Sequence, residues 1–359
     1  MEASSYVCPN CGSVMEFNSE KQKMECVHCG YEATVEEVQK LYESVHKDDF
    51  NSDTAESNMG NAADSGERSG EFKVYRCQGC GAEILTDENT AATFCTFCGR
   101  PTLMEDRLTG ELLPSYVIPF KIDKEKAEHI YSMWAKKGIL TPTQLKSKAM
   151  IEKITGIYVP FWLYDYNADL RMTANCTKVR HETKGDYYYT HTDHFVVDRE
   201  VETDYYKIPA DASEKMPDDI MDKLEPFTYS NMEKFEMPYL SGYYAEKYNY
   251  TSEQMTPRIE KRVREYIHNL TRSTIKGYAT VNVIGEQPRL KCLQAKYALL
   301  PVWILNYTYE GKNFMFALNG QTGKIVADRP ISKKKKWSWF GGIVVTVFTT
   351  LMLMGRFLG

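Results

Sequence analysis

Gly156-Ile-Tyr-Val-Pro-Phe-Trp-Leu-Tyr-Asp-Tyr166 is a strongly β-prone run, and it is echoed at Tyr297-Ala-Leu-Leu-Pro-Val-Trp-Ile-Leu-Asn-Tyr307. Aligned, Pro160/Pro301, Trp162/Trp303, Asp165/Asn306 and Tyr166/Tyr307 coincide. The repeat predicts two related β-meanders. A proline within such a run points to a strand start or a sheet edge, because it cannot donate to the ladder. Between the copies, Thr251-Ser-Glu-Gln254 is a capping box opening a helix over Thr251–Ile275. His194–Ile208 reads as a strand, and Pro217–Leu224 and Asn231–Phe235 as short helices. The second copy closes on tight turns at Glu310-Gly311 and Asn319-Gly320, then the strand Lys324–Ala327. Ahead of the first copy, Asp123–Lys137 reads as a helix, and Thr141-Pro-Thr-Gln144 as a capping box for a helix to Ile154. Residues 114–330 are therefore an α+β body with mostly antiparallel sheet.

Ahead of that body stand four C-x-x-C-G knuckles, at Cys8/Cys11, Cys26/Cys29, Cys77/Cys80 and Cys95/Cys98. They form two quartets of identical spacing, C-x2-C-x14-C-x2-C, which is the pattern of a tetrahedral metal site. Cys8, Cys11, Cys26 and Cys29 are expected to ligate one structural Zn2+, and Cys77, Cys80, Cys95 and Cys98 a second. Each unit is too small to bury a core, so metal must supply its folding energy, roughly 10–16 kcal/mol per site. The expected order is ribbon 1 at 1–35, a short helix (Glu36–Lys47) and flexible linker at 36–72, ribbon 2 at 73–113, the body, and a tail at 331–359. The Ser/Asn/Asp/Gly/Glu-rich stretch Asp48–Glu71 predicts ribbons that move independently, the first free and the second against the body.

The tail carries Lys333–Lys336 followed by the uncharged, apolar run 337–355. Nineteen helical residues reach about 28 Å, close to the hydrocarbon thickness of a bilayer. Trp337 and Trp339 fall where interfacial aromatics belong, and the four lysines predict that their side is cytoplasmic. The expectation is a single-pass tail anchor in the cell membrane, with the bulk of the chain in the cytoplasm. The start lacks a basic and apolar leader pattern, and unpaired thiols fit a reducing compartment.

Charge is segregated. The net of −5 divides into −12 over residues 1–113, +2 over 114–330 and +5 over 331–359. Ribbons often touch nucleic acid, but phosphate binding depends on Lys and Arg displacing counterions, and this head has few. The acidic head is better suited to a protein partner. The leading expectation is a non-catalytic scaffold or adaptor, and the alternative a membrane-tethered nucleic-acid-binding or transcription-related factor. No small-molecule substrate is evident. Other candidates read blandly. His181, His191 and His194 lack a hydrolase spacing. Gly320-Gln-Thr-Gly323-Lys324 is too short for a phosphate loop and reads as a hairpin turn. Cys176 and Cys292 have no base placed beside them, and Trp162 and Trp303 read as core.

With ribbons, repeat and tail assembled, the chain resembles the bacterial proteins described as transcription factor IIB-type zinc-ribbon-containing proteins. The likeness rests on a C-x-x-C-G ribbon ahead of Tyr116-Val-Ile-Pro-Phe120, Tyr158-Val-Pro-Phe-Trp-Leu-Tyr-Asp165, Tyr239-Leu-Ser-Gly-Tyr-Tyr-Ala-Glu246 and Leu300-Pro-Val-Trp303. It covers roughly residues 75–330. It implies a non-catalytic protein and brings no active-site residue; the second ribbon and the membrane tail depart from the simplest family form, and a Walker or helicase motif is absent from the chain.

Overall fold

The computed structural model describes residues 2–46 and 73–358. The expected linker, Asp48–Glu71, lies outside the described residues. The body is built on two long hairpins. Strands β10 (Thr155–Lys184) and β11 (Tyr187–Asp211) form one, and β14 (Thr280–Tyr309) and β15 (Lys312–Asn319) the other. Both turn through two residues, Gly185-Asp186 and Glu310-Gly311, with positive φ at Gly185, Glu310 and Gly311. β10 and β14 pair antiparallel side by side, so the sheet runs β11-β10-β14-β15 through its centre.

The register explains the repeat. Val159 pairs with Leu300, Tyr158 with Pro301 and Pro160 with Leu299. The repeat offset maps Val159 onto Leu300, so the two copies cross about a local two-fold at that pair. The expected strand start or edge for the prolines is wrong: both lie inside the central strands. Each sits where its strand changes partner. β10 pairs with β13 (Tyr244–Glu246) at Ile157–Tyr158 and with β11 from Phe161, while β14 passes from β9 (Tyr116–Val117) at Ala298–Leu299 to β15 from Val302. The missing proline N–H falls in each seam. The carbonyls are still used, Pro160 accepting from the Ala212 amide at 2.9 Å and Pro301 from the Gly320 amide at 2.9 Å. The tryptophans match too: Trp162 Nε1 donates to the Tyr250 carbonyl and Trp303 Nε1 to that of Ile122.

Beyond the crossing, β10, β11 and the first half of β14 continue as a three-stranded arm. A 30-residue strand extends about 100 Å. Along Tyr164–Cys176 the even positions are buried, and helix α5 (Ser252–Thr274) lies on them. Its Met255, Ile259, Val263, Ile267 and Thr271 recur every four residues, so one stripe faces the sheet. Its N-terminus carries the expected capping box, Thr251 with Gln254.

Around the base pack α2 (Lys124–Lys137), α3 (Lys148–Ile151) and α4 (Asp218–Leu224), with β16 (Ile325–Ala327) beside β15. Two helix expectations fail here. Thr141 does not cap: its hydroxyl is buried without a partner, and a 3-10 turn at Thr143–Lys146 precedes the one-turn α3. The loop's carbonyls are instead taken from outside, Leu140 by the Ser332 amide and Thr141 by Lys335 Nζ. Asn231–Phe235 is not helical either, because β12 (Glu233–Lys234) pairs with β9.

Ribbon 1 comprises β2 (Met15–Asn18), β3 (Lys23–Cys26) and β4 (Glu32–Ala33), then α1 (Val35–His46). Ribbon 2 comprises β5 (Lys73–Cys77), β6 (Glu83–Thr86), β7 (Thr90–Phe94) and β8 (Pro101–Leu103). The expected independent motion is overturned. β1 (Glu2–Ala3) pairs in parallel with β5, and Ser4 exchanges backbone hydrogen bonds with Leu103, so the chain's start is woven into ribbon 2. Ribbon 1 also shares the main core, with Met15, Phe17, Met24, Val35 and Val38 in one cluster with Tyr239, Tyr243 and Trp303. The signal was hidden because ribbon strands are too short to reveal a buried outer face.

The C-terminal helix α6 (Lys333–Leu358) leaves this base. Over Lys333–Met354 it is long and apolar enough to cross a membrane, and none of its apolar side chains is covered by the rest of the chain.

Candidate metal centres

The four knuckles repeat one geometry. The amides of Gly12, Gly30, Gly81 and Gly99 donate to the carbonyls of Cys8, Cys26, Cys77 and Cys95, at 2.8–3.1 Å. Each of these glycines has φ between 70° and 75°, a left-handed conformation in which a side chain would be strained. The turn brings both cysteines of a knuckle to one point. The first is buried (Cys8, Cys26, Cys77, Cys95) and the second exposed (Cys11, Cys29, Cys80, Cys98).

The quartets assemble as the spacing predicts. In each, all four sulfurs lie within 4.8 Å of one another. Cross-knuckle separations are 3.6 Å for Cys8–Cys29, 3.5 Å for Cys11–Cys26, 3.8 Å for Cys77–Cys98 and 3.7 Å for Cys80–Cys95. A tetrahedral Zn–S distance of about 2.3 Å requires sulfurs about 3.8 Å apart, so the donor set fits that ion. Acidity points the same way. The Cys29 amide, helped by that of His28, draws the Cys26 thiol down to about 6 against desolvation. For Cys29 the Tyr31 amide favours the thiolate, but burial and the neighbouring sulfurs outweigh it and push the thiol up to about 12. Cys95 is lowered to about 7 against burial by the Cys98 and Phe97 amides, and Cys80 is raised to about 12. Four thiolates cannot ionise together at such range without a cation between them.

The two centres share surroundings. Val14, Glu16 and Val27 from ribbon 1 and Gly79, Cys98, Gly99 and Arg100 from ribbon 2 line one cleft of about 260 Å³. Large apolar side chains stand out at the knuckles: Val7 is 51% exposed, Val27 61% and Phe97 74%.

The ribbons are fixed to the body by specific groups. Phe17 packs edge-on to Tyr239 at 5.2 Å, its amide donates to the Ser241 carbonyl at 3.0 Å, and Ser241 Oγ donates to the Met15 carbonyl at 2.7 Å. Gln22 Nε2 reaches the Phe120 carbonyl at 2.7 Å, and Lys126 at the start of α2 pairs with Glu20. For ribbon 2, β7 pairs with β13, and Lys215 bridges Asp87 (2.6 Å) to the largely buried Glu246 (2.9 Å). Arg107, itself buried, donates to Tyr75 Oη at 2.8 Å and to the Thr90 carbonyl at 2.9 Å. These partners lie up to 226 residues apart in sequence, and no local pattern marks them.

The remaining candidates do not converge. The register sets His181 and His194 on one face of the β10–β11 hairpin and His191 on the other. Gly320 belongs to the β15–β16 turn, where a Cβ would meet Phe120 at 2.6 Å. Cys176 is buried under α5, and burial pushes the Cys292 thiol up, away from nucleophilic reactivity. A concavity of about 1130 Å³ on β14–β16 is lined by Lys153, Lys215 and Lys223 among others. Lys215 and Lys223 are already paired with carboxylates.

An ionic network that sequence reading missed clamps the arm to the base. Arg258 and Arg262 on α5 pair with Asp211 at the end of β11 and with Asp218, Asp222 and Glu225 around α4, at 2.8–3.2 Å. Asp211 is 1% exposed, and burial pushes its carboxyl up to about 7 despite Arg258.

The chain is 43% identical over 355 residues to the "Uncharacterized protein YdjG" of Bacillus subtilis (strain 168), covering 99% of this chain and 98% of that protein. It belongs to the same family. No family model and no solved structure matches the chain, so of the expected ribbon-protein likeness the two four-cysteine clusters are what stand.

Proposed function

We propose that this member of the YdjG family is a non-catalytic, tail-anchored scaffold whose zinc-ribbon head docks a protein partner at the cytoplasmic face of the cell membrane. The carrying observation is that Val14, Glu16 and Val27 of ribbon 1 and Gly79, Cys98, Gly99 and Arg100 of ribbon 2 line one cleft, with Val27 exposed in it and Phe97 exposed on the Cys95/Cys98 knuckle, in a head of net charge −12. Two zinc ions would act here only as structural ions, since four cysteines close each coordination shell. The acidic setting favours a protein over nucleic acid, and each zinc tetrathiolate centre would add two further negative charges.

The body would act as a bracket. Helix α2 carries the ribbon 1 contact at Lys126 and ends at Gly138 beside the start of α6. Twelve residues of helix span about 18 Å, which would set the head close above the lipid rather than on a free tether.

The test is proximity labelling from the full-length protein in its native membrane, comparing wild type with a Val27→Ser/Phe97→Ser double variant. Both side chains are exposed, so zinc content and folding should be unchanged. A partner labelled by the wild type and lost with the variant supports docking at the knuckles. An unchanged set of labelled proteins refutes it.

A further inference from the structure

We infer that the loop Gly138–Pro142 is a second lipid-contacting element, lying in the headgroup layer of an anionic bilayer beside the first turn of α6. The inference rests on α6 spanning the membrane. Its independent basis is the way the loop is stitched to that helix. The Ser332 amide donates to the Leu140 carbonyl at 2.9 Å, and Lys335 Nζ to the Thr141 carbonyl at 2.7 Å. Trp337 lies two residues beyond Lys335, only about 3 Å further along the helix axis. A spanning helix with its tryptophans at the interface therefore holds the loop at headgroup depth.

The side chains suit that position. Ile139 is 63% exposed and Ile331, one residue before Ser332, is 57% exposed; neither is covered by the body. Residues 136–151 carry Lys136, Lys137, Lys146 and Lys148 with no acidic residue, and residues 329–339 carry Arg329 and Lys333–Lys336 with none. Nine cations thus gather at one pole of a chain whose net charge is −5, and among the described residues only two of them are paired there with carboxylates, Lys148 with Glu152 and Lys333 with Glu310. Basic groups around a small apolar tip match an anionic surface over a greasy interior. The consequence is orientational. With α6 and this loop both engaged, the body has two points of attachment and cannot swing freely about the helix.

The experiment uses the full chain in nanodiscs of phosphatidylcholine alone and of phosphatidylcholine mixed with phosphatidylglycerol. Amide hydrogen exchange is followed over residues 138–142. Exchange there should slow by about thirtyfold in the anionic discs, the effect of two lysines near a charged surface. A Lys136→Glu/Lys137→Glu variant should lose that difference, and Ile139→Ser should exchange faster in both discs. Amides of α5 serve as the folding control. Equal exchange over 138–142 in the two discs overturns the inference while leaving the span intact. Failure of the chain to enter discs at all overturns the span and the inference together.

Discussion

Replacing Phe17 with alanine should release ribbon 1 from the body without emptying its metal site. Phe17 is 4% exposed and packs against Tyr239, while its amide hydrogen bond to Ser241 reports directly on the junction. Truncating a buried phenylalanine costs about 3–5 kcal/mol. If ribbon 1 is held by this contact, the whole loss falls on the docked state. About 4 kcal/mol raises the open fraction by a factor of about a thousand. The cysteines at 8, 11, 26 and 29 are positioned by their own knuckle turns, so metal content should stay at the wild-type value. Amide exchange on the detergent-solubilised chain reads the result: protected amides in 15–26 and 239–243 should speed up together, by about a hundredfold or more. Val7→Ala, at a 51% exposed position, is the control and should change little. Acceleration below about threefold in Phe17→Ala would refute a ribbon fixed by core packing.

Two further perturbations bear on the metal centres and on the arm. Cys95→Ser should remove one of two metal ions per chain and, because β7 pairs with β13, should also loosen residues 244–246; metal analysis and exchange check both, and retention of two ions would contradict the four-cysteine assignment. Asp211 holds its proton more tightly folded (about 7) than unfolded (3.8), so stability should fall as pH rises through that window, by up to about 4 kcal/mol, and level off above it. Asp211→Asn should flatten this dependence in urea titrations at stepped pH; unchanged slopes would show that the carboxyl does not titrate in the fold.

Local order was legible where chemistry is local. The knuckles, their glycines and the Thr251/Gln254 cap each rest on residues a few positions apart, and all appear as read. The φ-P-φ-W repeat was visible as well, but its prolines were misplaced. A proline within a sheet is excluded only where a partner needs its N–H, and strand order alone tells that Pro160 and Pro301 fall at seams. Thr141 shows the converse. Its motif is a good helix start in isolation, and it yields to hydrogen bonds from Ser332 and Lys335, nearly two hundred residues away. The docking of ribbon 1 had the same cause, because Phe17, Tyr239 and Ser241 carry no joint signature until the sheet brings them together.

The local two-fold at Val159 and Leu300 assigns the hairpin turns to opposite ends of the sheet. The second copy's turn is held at the α6 end, Glu310 pairing with Lys333 at 3.0 Å. The first copy's turn, Gly185-Asp186, therefore points the other way. Past Thr177 and Ala279 the hairpin has no third strand among the described residues, and it displays Tyr187 and Tyr188, 71% and 66% exposed. Nothing in the cores depends on that tip: the last buried residues of the arm are Cys176 and Val197. Replacing Val179–Thr192 with Asn-Gly would close the hairpin on the Lys178–Asp193 pair with a turn suited to its twist. Stability should then change by no more than about 0.5 kcal/mol, as for surface changes away from packed sites. Loss of cooperative unfolding in this variant would mean that the tip helps to hold α5 on the sheet. An unchanged transition would separate the distal tyrosines from folding and leave them free to meet something other than this chain.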